Sequence, residues 1–339
     1  MRGRIRSTRR DGRGGAPLVS GIAMTSVNHL PERSDSSPQS KVRRAPAFKY
    51  VLITPARNEE AFLERTIQSV TRQSAIPMRW VIVSDGSTDR TDEIAKSYAE
   101  KFSWIDYVRA PVRSSRDFAG KVFAFRVGFE RVSNLDYQFI GSVDADISFE
   151  ANYFEYLLGK FDADPALGVA GTPFSEDGQT YDFRFSSTSH VSGACQMFRR
   201  ECFESIGGYV PVKGGGIDDI AVMTARFKGW QTRTFTEMTC RHHRPMGTAG
   251  GRSKAAVNLK LGENAYRLGA HPLWQLARGI YQMSRKPYVV GGGALMTGYF
   301  WAMLRQVERP ISKELVHFNR REQMDRLRRF VGGHSAKKP

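Results

Sequence analysis

From Lys49 onward the chain alternates apolar runs of strand length with amphipathic stretches of helix length, and this alternation limits the fold more than any other feature. "KYVLITPARNEEAFLERTIQSVTRQS" opens with an apolar run at 50–53. Leu63, Ile67 and Val70 then recur at helical spacing behind Glu59 and Glu60, whose carboxylates suit the positive end of a helix. "RWVIVSDGSTDRTDEIAKSYAEKF" repeats the plan, with a buried strand at 80–83, a turn at Asp85-Gly86-Ser87, Thr88 or Asp89 as cap, and a helix to about Phe102. A third strand falls at 105–109, "GKVFAFRVGFERV" reads as a helix, and "YQFIGSVDADISF" reads as a further strand. The pattern implies an α/β fold with a doubly wound parallel sheet, whose ligands gather outside the carboxyl ends of the strands.

That rim receives Asp85 and, from "SVDADISF", the pair Asp144 and Asp146. Carboxylates two residues apart on an extended segment point the same way and offer hard oxygen ligands to a divalent cation. The spacing alone fits a solvated turn with an Asx hydrogen bond equally well.

At 339 residues and 40% hydrophobic the chain is long enough to bury a full-sized core. Its formal net charge of +17 implies an anionic partner: nucleic acid, acidic lipid headgroups or a phosphorylated small molecule. Cys195, Cys202 and Cys240 form no CxxC pair and no zinc-finger spacing, which favours small core residues in a reducing compartment. Segment 1–46 scatters arginines among Gly, Ser and Pro with little apolar periodicity and is expected to be a basic disordered tail. It shows no secretory leader, so export is not expected, and Met24 is an alternative start. No internal repeat is evident.

The ordered set "TPARNEE", "VIVSDGSTDRTDEI", "GKVFAFRVGFE", "DADISF", "SGACQMFRRECFESIGGY" and "GGGIDDIAVMTARFKGWQTRTF" resembles the family 2 glycosyltransferases of the GT-A fold over about 49–251. The resemblance implies a Rossmann-like mixed sheet flanked by helices and an inverting transfer from a UDP- or GDP-linked sugar, with Mg²⁺ or Mn²⁺ as cofactor. It implies that Pro55, Ala56, Arg57 and Glu59 meet the base and ribose, that Asp85, Gly86 and Ser87 add nucleoside contacts, and that Asp144 and Asp146 hold the metal against the diphosphate. Gly120 and Lys121 correspond to the start of the helix that faces the phosphates. Arg116 and Lys121 are the cationic candidates there, with a solvated helix face as the alternative for either. Gly193 and Ala194 correspond to a backbone floor under the donor sugar.

The chemistry needs these residue types. Negative charge grows on the departing diphosphate, and a bound metal stabilises it without proton transfer. The acceptor hydroxyl must lose a proton, so a carboxylate base belongs on the opposite face of the sugar. Counting back from Gly229-Trp230, Asp218 falls on the family's base position and Asp219 follows it; the alternative role for these acids is helix capping. In "CRHHRPMG" only one of His242 and His243 can face the site, because neighbours on an extended segment point opposite ways. The resemblance makes His243 the metal candidate with His242 its rival, and a satisfied structural histidine is the equal alternative; Arg241 and Arg244 are candidates for neutralising phosphate.

Beyond 252 the character changes. Leu273, Leu276, Ala277 and Ile280 form one helical stripe after Pro272, among basic residues, which suits a membrane surface. Segment 288–304 is uncharged but shorter than the roughly 20 residues of a spanning helix, and Gly291, Gly292 and Gly293 interrupt it. An interfacial or re-entrant hairpin is expected, with a span or a buried helix as alternatives. "RREQMDRLRRF" reads as a basic helix suited to anionic lipid.

The expected organisation is therefore a tail (1–46), a catalytic domain (47–251) and a helical membrane-associated extension (252–339), working at the inner face of the cell membrane on a lipid-linked or glycan acceptor in cell-envelope or exopolysaccharide synthesis. The competing class, a basic nucleic-acid-binding protein without catalysis, has only charge behind it; no nucleic-acid-binding signature accompanies that charge, and no nucleic acid partner is expected. A dinucleotide-dependent oxidoreductase would want GxGxxG after the first strand, where "TPARNEE" has no glycine.

Overall fold

The central strands carry apolar side chains on both faces. Strands β1 (Tyr50–Ala56), β2 (Arg79–Ser84), β3 (Ile105–Arg109) and β4 (Phe139–Val143) run parallel, with helices α1 (Leu63–Thr71), α2 (Thr91–Lys101) and α3 (Ala119–Val132) between them. The period of two in β1 sorts the core. Tyr50 and Leu52 pack with Leu63, Ile67 and Val70 of α1, while Val51 and Ile53 pack on the other face with Val122 and Phe125 of α3. Each such side chain contributes about 1.5–3 kcal/mol on full burial. The computed structural model describes residues 48–111, 119–176, 187–244, 253–285 and 287–331, within one compact unit from Ala45 to Pro339. The 1–46 segment and Arg116 lie outside the described residues, as does the expected boundary at 251.

The chain continues through β5 (Ile147–Ser148), α4 (Tyr153–Ala163), β6 (Leu167–Gly171), β7 (Phe174–Ser175), β8 (Cys195–Arg199), α5 (Arg200–Ser205), α6 (Ile217–Phe227), β9 (Gln231–Thr234) and β10 (Cys240–His242). The main sheet has the order β3-β2-β1-β4-β8-β6-β9, and β8 runs antiparallel to both β4 and β6. The sheet is thus mixed, as the family resemblance implies, and not wholly parallel as the alternation alone implies. A strand's residues do not encode its direction: "CQMF" followed by a helix reads the same whichever way the chain enters. A second sheet, β5-β10-β7, joins three short strands at the rim and pairs His242 with Ile147.

The C-terminal part forms α7 (Lys254–Arg267), α8 (Pro272–Met283), α9 (Tyr288–Leu304) and α10 (Lys313–Val331). The hairpin expected at 288–304 is instead one continuous helix. Its glycines are contact points: a Cβ on Gly298 would overlap the Leu259 carbonyl of α7, and one on Gly292 the Gly279 carbonyl of α8. A Cβ on Gly262 of α7 would likewise overlap the Leu295 carbonyl of α9. Small residues let these helix backbones touch, which offsets the low helix propensity of glycine. The α8 stripe faces outward, with Leu273 and Ile280 exposed, and Gln275 and Gly279 are the buried positions of that helix. Among the described residues no helix is long and apolar enough to cross a membrane.

Candidate functional site

The ends of β1 and β2 are tied into one lip. Asn58, at φ 56°, donates its backbone N–H to Ser87 Oγ at 3.2 Å and accepts from the Thr88 N–H at 2.9 Å. The Glu59 N–H donates to Thr91 Oγ1 at 2.7 Å. Gly86 sits at φ 68°, where a side chain would be strained. Arg57 Nη1 lies 3.4 Å from Asp85 Oδ2, which brings the two nucleoside candidates together. The Ser87 hydroxyl is buried inside the turn and serves its geometry. Pro55 and Ala56 close β1 directly behind this lip.

Asp144 and Asp146 follow β4 on the same rim. The Asp144 N–H donates to the Ala194 carbonyl at 2.9 Å. Lys121, in the first turn of α3 beside the buried Gly120, forms an ion pair with Asp144 and donates to the Gly193 carbonyl at 3.1 Å. Burial raises the Asp144 pKa against the opposing pull of Lys121, with Asp146 adding to the rise. For Lys121 burial works downward, but Asp144 outweighs it and the ammonium is held above its ordinary value.

Asp146 is flanked by His242 Nε2 at 3.6 Å and by the Arg244 guanidinium, whose Nε lies at 3.7 Å. Arg244 also pairs with Glu59 and lies over the Phe62 ring at 5.3 Å. Burial pushes the Glu59 pKa to about 7; Arg244 opposes the rise and Asp146 and Asp144 add to it. His242 Nδ1 stands 3.2 Å from Glu176 Oε1 without the alignment of a hydrogen bond. His243 points the other way. Its Nε2 lies 2.9 Å from Ser148 Oγ, its ring stacks on Phe62, and it meets Asp146 only through its backbone N–H, which donates to the Asp146 carbonyl at 2.8 Å. The side chain facing the pair is therefore that of His242, whose place in β10 is set by its pairing with Ile147 of β5, and the next residue, His243, points away.

Asp218 and Asp219 occupy the first turn of α6, which begins after Gly216 at φ 87°. Asp218 Oδ2 accepts the Gly193 N–H at 3.1 Å. Asp219 Oδ1 pairs instead with His190 Nδ1 at 3.2 Å. Burial and the neighbouring Asp219 charge raise the Asp218 pKa, against Lys121 and His190. For Asp219 burial pushes upward too, but the His190 hydrogen bond and charge, then Arg278 and Arg226, hold it below the ordinary value. His190 and Glu176 were missed in the sequence: a lone histidine in "SSTSHVSG" and a glutamate after a two-residue strand belong to no period or motif.

The site thus brings together Arg57, Glu59, Asp85, Lys121, Asp144, Asp146, Gly193, Ala194 and Asp218. The carboxylates Asp144 and Asp146 match the hard oxygen donors that Mg²⁺ and Mn²⁺ prefer. Among the described residues no cluster of three or more His, Cys, Asp or Glu side chains is arranged to hold a metal.

Comparison with known proteins bears on the fold that carries these residues. Residues 51–190 match the model of Glycosyl transferase family 2. The chain is 31% identical over 123 residues to glycosyltransferase GlyA of Streptococcus pneumoniae, covering 35% of this chain and 16% of that protein. It is 23% identical over 273 residues to a poly-beta-1,6-N-acetyl-D-glucosamine synthase of Staphylococcus aureus, covering 75% of this chain and 57% of the synthase. The chain therefore spans well under two thirds of the length of either relative. The fold is similar to that of a mannosyltransferase from Pyrobaculum calidifontis solved with GDP-Man and Mn²⁺, at a TM-score of 0.51 and 15% identity, covering 86% of this chain and 89% of that one.

Proposed function

We propose that the protein is an inverting glycosyltransferase that moves a sugar from a nucleotide-diphosphate sugar to a lipid-linked or glycan acceptor in envelope or exopolysaccharide synthesis. The observation that carries this reading is a continuous chain of contacts across the rim. Asp144 pairs with Lys121, Lys121 donates to the Gly193 carbonyl, and the Gly193 N–H donates to Asp218. On this reading the phosphate-side carboxylate, through Lys121, and the base-side carboxylate are both tied to the backbone of Gly193. The nucleoside would lie on the lip made by Arg57 and Asp85. Asp144 and Asp146, with His242 beside them, would hold a divalent cation. Such an ion, when bound, lowers the energy of the charge that builds on a departing diphosphate.

Asp218 accepts the acceptor hydroxyl's proton while the new C–O bond forms and the diphosphate leaves with the electron pair of the old one. Partial burial and the adjacent Asp219 make Asp218 more basic than a free carboxylate, which suits it to this step. Polysaccharide synthesis as the setting is supported by the name of the staphylococcal relative. The outward apolar face of α8 and α9 supports work at a membrane surface as a peripheral protein. The deciding experiment is Asp218→Asn assayed with a panel of UDP- and GDP-sugars: donor binding should be retained and transfer lost. Normal transfer by this variant would remove Asp218 from the reaction.

A further inference from the structure

The mechanism above gives Asp218 a task and gives Asp219 none, yet Asp219 has the more specific partner. His190 Nδ1 stands 3.2 Å from Asp219 Oδ1, and nearly half of each side chain, 45%, is open to solvent. Such an exposed pair contributes little to stability by itself. The backbone carrying His190 is nevertheless held on every side. Its carbonyl accepts from Thr234 Oγ1 of β9, and its N–H donates to the Ser187 carbonyl at 3.1 Å. The neighbouring Ser189 carbonyl accepts from Arg226 Nη1 of α6 at 3.0 Å and from Thr232 Oγ1 at 2.6 Å. Ser189 Oγ accepts from Arg326 of α10 at 2.9 Å. Three residues further on, Gly193 is the backbone that binds Asp218. One fixed segment thus holds both acids of α6, one by an imidazole and the other by an amide.

We propose that His190 is a positioning residue for the transfer reaction: its pair with Asp219 turns that carboxylate away from Gly193, so that Asp218 alone presents its oxygens where the acceptor's proton arrives. Two adjacent acids at a helix start otherwise compete for the same backbone N–H and for one proton. The inference rests on the transferase reading for the reaction, and on geometry for the pairing. The charged groups around the pair are Asp218, Asp219 and Arg226 of α6, Arg278 of α8, Lys121 of α3, and Glu322 and Arg326 of α10. Partial burial pulls the imidazole's pKa down, and the Asp219 bond with the charges of Asp219 and Asp218 more than reverses this. A cation beside two carboxylates lowers the pH at which they ionise, so its removal should move the acid limb of kcat to higher pH, by about one unit.

The test compares His190→Ala, Asp219→Asn and the double variant with the wild type, on the full chain with a donor it turns over. His190→Ala should lower kcat about tenfold at neutral pH and shift the acid limb upward, with donor KM unchanged. His190→Gln, which keeps a donor for Asp219, should recover part of the loss. In the Asp219→Asn background, His190→Ala should cost nothing further, whereas a merely structural histidine would cost the same in both. An unshifted acid limb, or equal losses in the two backgrounds, overturns the proposal. An NMR titration of the His190 imidazole reads the pairing without turnover: its pKa should be raised in the wild type and fall in Asp219→Asn. No fall in that variant overturns the pairing alone. No transfer by the wild type from any donor overturns the transferase reading, and the positioning role of His190 falls with it.

Discussion

Gly193 lies against Asp218 so closely that a Cβ on the glycine would stand 2.7 Å from the Oδ2 that its own N–H binds. Real Cβ atoms do not approach an oxygen so nearly, so any side chain at 193 must push the carboxylate aside. Gly193→Ala should therefore lower kcat by about 10²-fold, the scale on which a displacement of order 1 Å acts, while donor binding stays near that of the wild type. Steady-state kinetics beside calorimetric donor titration check both halves. Unchanged kcat would show that Asp218 can move without consequence.

Asp144 and Asp146 have different neighbours and should fail differently. Mn²⁺ should tighten nucleotide-diphosphate binding to the wild type, and that tightening should disappear in Asp144→Asn and in Asp146→Asn. Asp144→Asn also leaves the Lys121 ammonium half-paired in a partly buried setting, so it should lose stability of about 1 kcal/mol. Asp146→Asn leaves Arg244 and His242 with Glu59 and Glu176 as further neighbours, and should lose less. Calorimetry with and without Mn²⁺, and urea unfolding, separate the two effects.

Glu59 gives the ligand-free protein a pH signature. Its side chain is 12% exposed, and burial raises its pKa from 4.5 to about 7. The native state therefore holds a proton between these values that the unfolded chain has released. The sign follows: the stability contributed by protonated Glu59 is present below about pH 4.5 and is lost as pH rises through about 7. Glu59→Gln does not titrate, so its stability relative to the wild type should rise across this window, by up to about 3 kcal/mol. Urea unfolding at pH 5 and pH 8 reads the difference, and an equal gap at both pH values would contradict the shift.

The parallel units of the sheet were legible because their signals are local. The β1 run with Leu63, Ile67 and Val70 behind it, and the 80–83 run before Asp85-Gly86-Ser87, each state a strand, a turn and a helix within one window. The rim position of Asp85, Asp144 and Asp146 followed from the same pattern. Three features were not legible. The antiparallel entry of β8 depends on the path of a connection and not on its residues. The orientation of His242 and His243 depends on a pairing between two- and three-residue strands from distant parts of the chain. The glycines of α9 read as breaks because their partners, Leu259 and Gly279, lie on other helices.

Those glycines make the C-terminal helices a sensitive point. In Gly298→Ala the new methyl would press on the Leu259 carbonyl, and in Gly262→Ala on the Leu295 carbonyl. Each gains helix propensity of about 1 kcal/mol, and each must separate α7 from α9. Overpacking commonly costs about 1–3 kcal/mol, so both variants should be destabilised on balance. Gly293→Ala is the control: a Cβ there meets nothing within 4 Å, so only the propensity gain remains and the melting temperature should rise. Thermal unfolding of the three variants decides it, and equal stabilisation of all three would refute the close crossing.

The outward face of the same helices carries the last prediction. Ile280 is 65% exposed, Val289 67% and Leu304 73%, with Trp301 and Tyr288 also outward. Between residues 272 and 307 the sequence has Arg278, Arg285, Lys286 and Arg305 but no Asp or Glu. Apolar side chains with aromatic and basic neighbours and no acids suit the headgroup boundary of an anionic bilayer. The full chain should therefore sediment with phosphatidylglycerol-containing vesicles and much less with neutral phosphatidylcholine, and binding should weaken with salt as charge attraction is screened. Ile280→Glu combined with Val289→Glu places two carboxylates on that face and should reduce vesicle binding about tenfold or more, while leaving turnover of a water-soluble acceptor unchanged. A chain that ignores both kinds of vesicle, or whose charged variant binds as the wild type does, would separate this face from the membrane and leave the rim chemistry untouched.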